Sequence, residues 1–235
     1  TAALPAFTPP QILSSDLSQL ALDLAHWGVK DPATLRFLDQ PPAPALSEAR
    51  ALLVQLGALD ARFGLTQKGH LMRRLALPPR LSAMAISAAT EGLGLLACQL
   101  AVLLTEQGLG GKDLDLDERL RRFRTERGSR ADAARALAAR LSRSLPRGDD
   151  AGATSSAGPL LLHAYPDRVA LQRGGRGRFV MANGRGAELP ETERLAASRM
   201  LVIADLTGRA AQGRVLAAAE VSRADVQEQL RALIV

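Results

Sequence analysis

The sequence predicts an α+β multidomain chain, with helices first and a small OB-like β-barrel last. Three observations carry this expectation. Apolar residues recur at helical spacing from Leu13 to Leu145. The stretch 147–159 then holds Gly148, Asp149, Asp150, Gly152, Thr154, Ser155, Ser156 and Gly158, with almost nothing to bury. Beyond it, short apolar runs alternate with glycine-rich turns. Residues 1–76 therefore read as a winged helix, 77–146 as a helical bundle, 147–159 as a linker and 160–235 as the barrel.

In the first part, Thr8-Pro9-Pro10-Gln11 is a helix start. Threonine can cap, proline fits the first turn, and glutamine completes a capping box. Leu13, Leu17, Leu20, Leu24 and Trp27 follow at helical spacing, and Gly28 is the stop. Asp31-Pro32 opens a short second helix through Leu38. Pro41, Pro42 and Pro44 force an extended connection. A third helix carries Leu46, Leu52, Leu53 and Leu56 and ends at Gly57. Ala58-Leu59-Asp60 and Phe63-Gly64-Leu65 read as two very short strands, after which Thr66 caps another helical turn. Three helices and a small hairpin make the winged-helix pattern. The third helix carries Glu48 and Arg50 but no basic face for a DNA groove, so a structural role is expected. Trp27 is expected as a core anchor.

Pro78-Pro79 mark the next joint, and from Arg80 to Leu145 only helices are expected. Leu81 to Thr90 is the first. Leu93 to Glu106 is apolar nearly all round and should be the buried centre of the bundle. Asp113, Asp115, Asp117 and Glu118 suit a helix N-terminus through its dipole. Arg119, Arg121, Arg122, Arg124 and Arg127 follow on that helix. Ser129-Arg130-Ala131-Asp132 is a capping pattern for the last helix, which carries Leu137, Leu141 and Leu145. The arginine-rich helix has two readings. One is a solvated face with internal ion pairs. The other is a nucleic-acid-contacting surface with Arg121, Arg122 and Arg124 as its candidates. Glu106 to Asp113 fails as a phosphate loop, because Glu106 stands where glycine is needed and Asp113 where Ser or Thr is needed.

In the last part, Val169 to Leu171 and Phe179 to Met181 flank a connection in which Gly174, Gly175 and Gly177 can take positive φ angles. Asn183-Gly184 is a second turn signal. Arg199 to Leu206 reads as a strand, Thr207-Gly208 as a turn and Arg214 to Val221 as another strand. Ser222 begins an amphipathic segment with Val226, Leu230 and Leu233. Four or five short strands in a meander suggest a barrel of the OB type, whose surface often takes single strands. The turns carry Arg173, Arg176, Arg178 and Arg185, with no acidic residue between Asp167 and Glu188. These four and Arg168 are the candidate nucleic-acid contacts, since guanidiniums on a rigid β-element suit a polyanion backbone. Exposed turn arginines also serve solubility. Only Tyr165 and Phe179 could stack on bases, which favours backbone contact over base reading.

A chain of 235 residues fits two or three domains, and 47% hydrophobic content can support their cores. The formal charge of +6 comes almost wholly from arginine, since Lys30, Lys68 and Lys112 are the lysines. Such an excess is compatible with a nucleic-acid partner. Cys98 is the single cysteine, so no disulfide framework exists, and its apolar run predicts a small buried hydrophobe. No segment approaches the ~18 consecutive apolar residues of a membrane span, and no signal peptide is visible, so a cytoplasmic setting is expected. His26, His70 and His163 are scattered, without metal-ligand spacing around them. No nucleophile elbow or Walker motif occurs. No catalytic residue, cofactor site or metal site is expected in this chain.

Several motifs resemble the HrpB family, bacterial helicases of the DExH/DEAH class. Thr8-Pro9-Pro10-Gln11-Ile12-Leu13, then Ser15-Asp16-Leu17, Trp27-Gly28 and Phe37-Leu38-Asp39-Gln40-Pro41-Pro42 look like the family's entry to its winged helix. Leu56-Gly57-Ala58-Leu59-Asp60 and Leu65-Thr66 with Gly69 are similar to its wing. Leu75-Ala76-Leu77-Pro78-Pro79-Arg80-Leu81 is similar to its hinge into the helicase-associated "ratchet" bundle. Ala164-Tyr165-Pro166-Asp167-Arg168-Val169, the arginine–glycine turn and Ala182-Asn183-Gly184-Arg185-Gly186-Ala187 point to this family rather than to the class at large.

The resemblance implies the C-terminal segment of an ATP-dependent RNA or DNA helicase. Its two RecA-like motor domains, with their ATP and Mg, are not in this sequence. It implies a winged helix acting as a pivot, with ratchet bundle and barrel covering the single strand that leaves the motor. The partners would be single-stranded RNA or DNA and the chain's own motor domains, with no membrane and room for a protein partner on the barrel. Two other readings stay open: a stand-alone winged-helix regulator on duplex DNA, and a protein-interaction scaffold.

Overall fold

The computed structural model describes residues 10–13, 15–148, 156–209 and 212–231. They belong to two compact units, one up to Ala83 and one from Met84.

The first unit opens with a 3-10 turn at Gln11–Leu13 and then α1 (Ser18–His26). Thr8, the expected cap, lies outside the described residues. Asp16 accepts a hydrogen bond from the Ser18 N–H at 2.7 Å instead. The buried stripe of this region is Leu17, Ala21 and Leu24. The position that continues it is Gly28, so Trp27 points off the stripe and is 61% exposed rather than a core anchor. The expected second helix is a single 3-10 turn, Pro32–Thr34, with Asp31 as its cap. Leu35 is already extended and Leu38 is 99% exposed, so no buried face prolongs it.

Next come α2 (Ala43–Gln55) and α3 (Gln67–Arg74), and α1 packs against both. Thr66 caps α3 by accepting from the Gly69 N–H at 3.0 Å. The two short strands between these helices shrink to one bridge, Leu59 to Leu65. The Asp60 carboxylate accepts from the N–H groups of Arg62 and Gly64, each at 2.8 Å, and folds this stretch into a turn. Those backbone bonds, Gly64's first, hold the carboxyl below its usual range. α4 (Pro79–Thr90) starts on the second proline of the joint.

In the second unit, α5 (Gly94–Thr105) is the buried helix expected, with Leu96, Ala97, Cys98 and Leu100 to Leu103 inside. It packs on α6 (Leu116–Thr125) and α7 (Ser129–Arg143). Ser129 does not cap α7. Gly128 occupies that position at φ +121°, with no side chain to offer, and Ser129 falls inside the first turn. α8 (Ala157–Leu162) begins inside the stretch expected as a linker, of which 149–155 lie outside the described residues. Gly158 explains why: a Cβ there would lie 2.0 Å from the Glu220 carbonyl oxygen, so the helix start is pressed against the sheet.

The strands are β1 (Val169–Gln172), β2 (Arg178–Met181), β3 (Gly186–Glu188), β4 (Met200–Arg209) and β5 (Gln212–Glu220). They close a barrel in the order β1-β2-β3-β5-β4. It is not a plain meander, because β3 runs parallel to β5 while the other pairs are antiparallel. The expected Thr207-Gly208 turn is strand, with Gly208 opposite Gly213. The core holds Ala170, Phe179, Met181, Leu195, Leu201, Ile203 and Val215, against which Leu114 packs from the approach to α6. The Ala218 N–H donates to the Leu114 carbonyl at 3.0 Å, so this approach adds a short rung to β5. α9 (Arg223–Gln229) follows, opened by a reciprocal Ser222–Asp225 capping box.

Candidate nucleic-acid interface

The β1–β2 turn is held from below. Gly177 adopts φ +77°, and a Cβ on it would lie 2.4 Å from the Leu189 carbonyl oxygen. Its N–H donates to Ala196 at 3.1 Å, and its carbonyl accepts from the Leu189 N–H at 3.0 Å. Gly174 also has positive φ, at +84°, whereas Gly175 does not. On this fixed turn Arg173 and Arg176 are exposed. Neither guanidinium has an ion pair or hydrogen bond among the described residues.

The other candidate arginines of the barrel are placed differently. Arg178 stands opposite Glu188 in the register, with Nε 3.7 Å from Oε1. Its charge is therefore partly answered, although no acidic residue lies between them in sequence up to Glu188. Arg185 is on the β2–β3 turn, at the far end of β2. The three rungs between the positions paired with Arg178 and Val180 and this turn put it roughly 10 Å from Arg178 along the strand. The four arginines thus do not share one turn: Arg173, Arg176 and Arg178 cluster, and Arg185 stands apart. Arg168 is bound into the fold. Its Nη1 donates to the Ala204 carbonyl at 3.0 Å, and its guanidinium lies 5.1 Å from the Tyr165 ring centre. Tyr165 and Phe179 are themselves buried, at 8% and 2% exposure, so neither is a stacking platform.

The arginines of α6 largely face their own carboxylates. Arg121 hydrogen-bonds Glu118, and Arg122 lies 2.7 Å from Glu118 and 3.5 Å from Asp113. The Arg121 bond first, then Arg122, holds the Glu118 carboxyl below its usual range. Arg124 donates to the Gln99 side chain at 3.1 Å. This is the solvated, internally paired face.

Two charged groups that no local pattern announced complete the surface. Arg214 faces Glu188 across the parallel β3–β5 pair, is exposed, and has no ion pair among the described residues. Its alternation within a strand could have marked it as outward-facing; its neighbours could not be read. Arg194 bridges Asp115 and Glu220. Among the described residues no group of three or more His, Cys, Asp or Glu side chains is arranged to hold a metal ion. No described helix is long and apolar enough to cross a membrane. Chemically, the turn presents the exposed guanidiniums of Arg173 and Arg176 to anionic oxygens.

No family model matches the chain. The ATP-dependent RNA helicase HrpB of Escherichia coli (strain K12) is 37% identical over 198 residues, which are 84% of this chain and 23% of that protein. The crystal structure of the E. coli DExH-box NTPase HrpB superposes with a TM-score of 0.82 at 32% identity, covering 97% of this chain and 27% of that one. A second, of the E. coli DEAH/RHA helicase HrpB, gives a TM-score of 0.77 at 32% identity over 93% of this chain and 27% of that one. The chain thus spans about a quarter of the length of these relatives. Over that shared stretch, in sequence and in fold, the chain is a homologue of these HrpB helicases.

Proposed function

We propose that this chain is the C-terminal accessory region of an ATP-dependent RNA helicase and guides single-stranded nucleic acid along the motor. In this reading residues 1–76 are the winged helix, 77–146 the helical ratchet bundle, 147–159 the linker and 160–235 the OB-like barrel. The strand order, with β3 parallel to β5 in a closed five-stranded barrel, supports the last of these. The two RecA-like motor domains, outside this sequence, would hold ATP and Mg in a cytoplasmic enzyme. The chain alone is expected to hydrolyse no ATP, having no phosphate loop of its own.

The observation that carries the reading is the pair Arg173 and Arg176, exposed and unpaired on a turn that Gly177 fixes. Guanidiniums mounted this way can meet successive phosphates with little ordering cost. The test is titration of labelled single-stranded oligoribonucleotide, and of a duplex, at several salt concentrations. The reading expects salt-dependent binding with the single strand preferred. A sequence-specific duplex preference would favour the regulator instead, and no binding with a co-purifying partner the scaffold.

A further inference from the structure

A cleft of about 520 Å³ opens where β3, β4 and β5 adjoin, lined by Glu188, Leu189, Pro190, Thr207, Gly208, Gly213 and Arg214. That volume lies in the range of about 300–1,000 Å³ typical of small-ligand sites. Gly208 and Gly213 face each other across β4 and β5, and a Cβ on Gly213 would lie 2.6 Å from the Leu206 side chain, so this pair belongs to the inward alternation while Thr207 and Arg214 take the other face. Pro190 and Leu189 supply apolar surface beside it. A flat ring can lie against the proline ring and the apolar surface beside it.

The polar groups of the cleft are an acceptor and a donor side by side. Glu188 and Arg214 are register partners, yet no ion pair joins them. The Arg178 Nε stands 3.7 Å from Glu188, beyond hydrogen-bond distance, so both carboxylate oxygens keep their capacity to accept. Among the nucleobases, guanine presents two adjacent donors on one edge, N1–H and the N2 amino group. Adenine and cytosine place an acceptor beside their amino group, and uracil places acceptors on both sides of its N–H. A carboxylate with two accepting oxygens therefore suits guanine, while a guanidinium beside it suits the phosphate of the same nucleotide.

We propose that this cleft holds one unpaired guanine nucleotide of the guided strand, with Glu188 accepting from its N1–H and N2 amino groups and Arg214 contacting its phosphate. The proposal rests on the single-strand reading above and adds to it a base preference on a surface without aromatic platforms.

The experiment compares three labelled oligoribonucleotides on the whole 235-residue chain: a short oligouridylate, the same strand with one central guanine, and the same with inosine in its place, which lacks the N2 amino group. The guanine strand should bind about tenfold more tightly than oligouridylate, the order expected of one bidentate contact, with inosine between them. Glu188→Ala should abolish the difference between the strands, while oligouridylate binding is kept or tightens as Arg178 loses its acidic neighbour. Arg214→Ala should weaken all three strands together. Equal binding of the three strands by the parent overturns the proposal and leaves the single-strand reading standing. A guanine preference that survives Glu188→Ala also overturns it. Binding to none of the strands at low salt overturns both.

Discussion

Arg194 holds the buried carboxylate of Asp115 with two nitrogens, Nε at 2.7 Å and Nη2 at 2.5 Å from the same Oδ2. The two residues are 79 positions apart, one at the head of α6 and the other on a 3-10 turn of the barrel. Asp115 is 5% exposed and also caps α6 by accepting the Asp117 N–H at 3.0 Å. The Arg194 Nη1 continues to Glu220 at 3.2 Å, and the Asp115 bond above all makes this guanidinium hold its proton more tightly. One side chain therefore fastens helices to barrel. Arg194→Ala would leave a buried carboxylate unanswered, a change that costs about 3–5 kcal/mol when the pair is fully buried. The Arg194 side chain is 60% exposed, so water can reach part of the vacated space. A loss of about 2 kcal/mol is expected in urea unfolding. A loss below about 0.5 kcal/mol would reduce the clamp to an ordinary surface pair.

The β1–β2 turn gives a graded test of backbone strain. Gly177→Ala combines φ +77° with a 2.4 Å approach to the Leu189 carbonyl oxygen, an obstacle that cannot rotate away. It should cost roughly 2 kcal/mol or more and also weaken oligonucleotide binding, since Arg176 and Arg178 flank it. Gly174→Ala has φ +84° but open space, so about 1 kcal/mol is expected. Gly175→Ala has neither obstacle and should be neutral or slightly stabilising. Thermal unfolding of the three variants checks the order 177, 174, 175.

Cys98 lies fully buried on α5, and burial pushes its thiol up to about 12. The thiolate is the reactive form. At mildly alkaline pH the native chain should therefore resist iodoacetamide, while the urea-unfolded chain labels readily. Rapid labelling of native protein would mean that α5 opens to solvent far more often than its packing implies.

What was legible in the sequence followed from residues acting on near neighbours. The all-round apolar run gave α5, Thr66 gave the start of α3, and Ser222 gave the start of α9. Distant partners left no such trace. Thr207-Gly208 looks like a turn, but Gly213 opposite it and the body of β5 keep it in a strand. Glycine before Pro159 looks like linker, yet the close approach of Glu220 makes Gly158 a packing residue. The placement of the arginines depended on distant partners in the same way. Reading Arg185 together with Arg173 and Arg176 required the hairpin geometry, which sends the two turns to opposite ends of β2. The Arg178–Glu188 pair needed the register, and Arg168 needed the Ala204 carbonyl from β4.

Those differences divide the candidate arginines by what each should do when removed. Arg173 and Arg176 are unpaired and exposed, so each Ala substitution should flatten the log-affinity against log-salt slope for single strands by about 0.7. Exposed changes of this kind usually shift stability by no more than about 0.5 kcal/mol. Arg178→Ala should have a smaller effect on the slope, because Glu188 already answers part of its charge. Arg168→Ala should do the reverse. It leaves the Ala204 carbonyl without its donor and uncovers Tyr165, so a stability loss of about 1 kcal/mol is expected with the slope unchanged. Arg121 and Arg122 spend their charge on Glu118 and Asp113, and their double Ala variant is the control that should bind like the parent. The measurement is one set of salt titrations with matched unfolding curves. If the α6 variant flattens the slope and the turn variants do not, the strand runs over the helices and the barrel assignment falls.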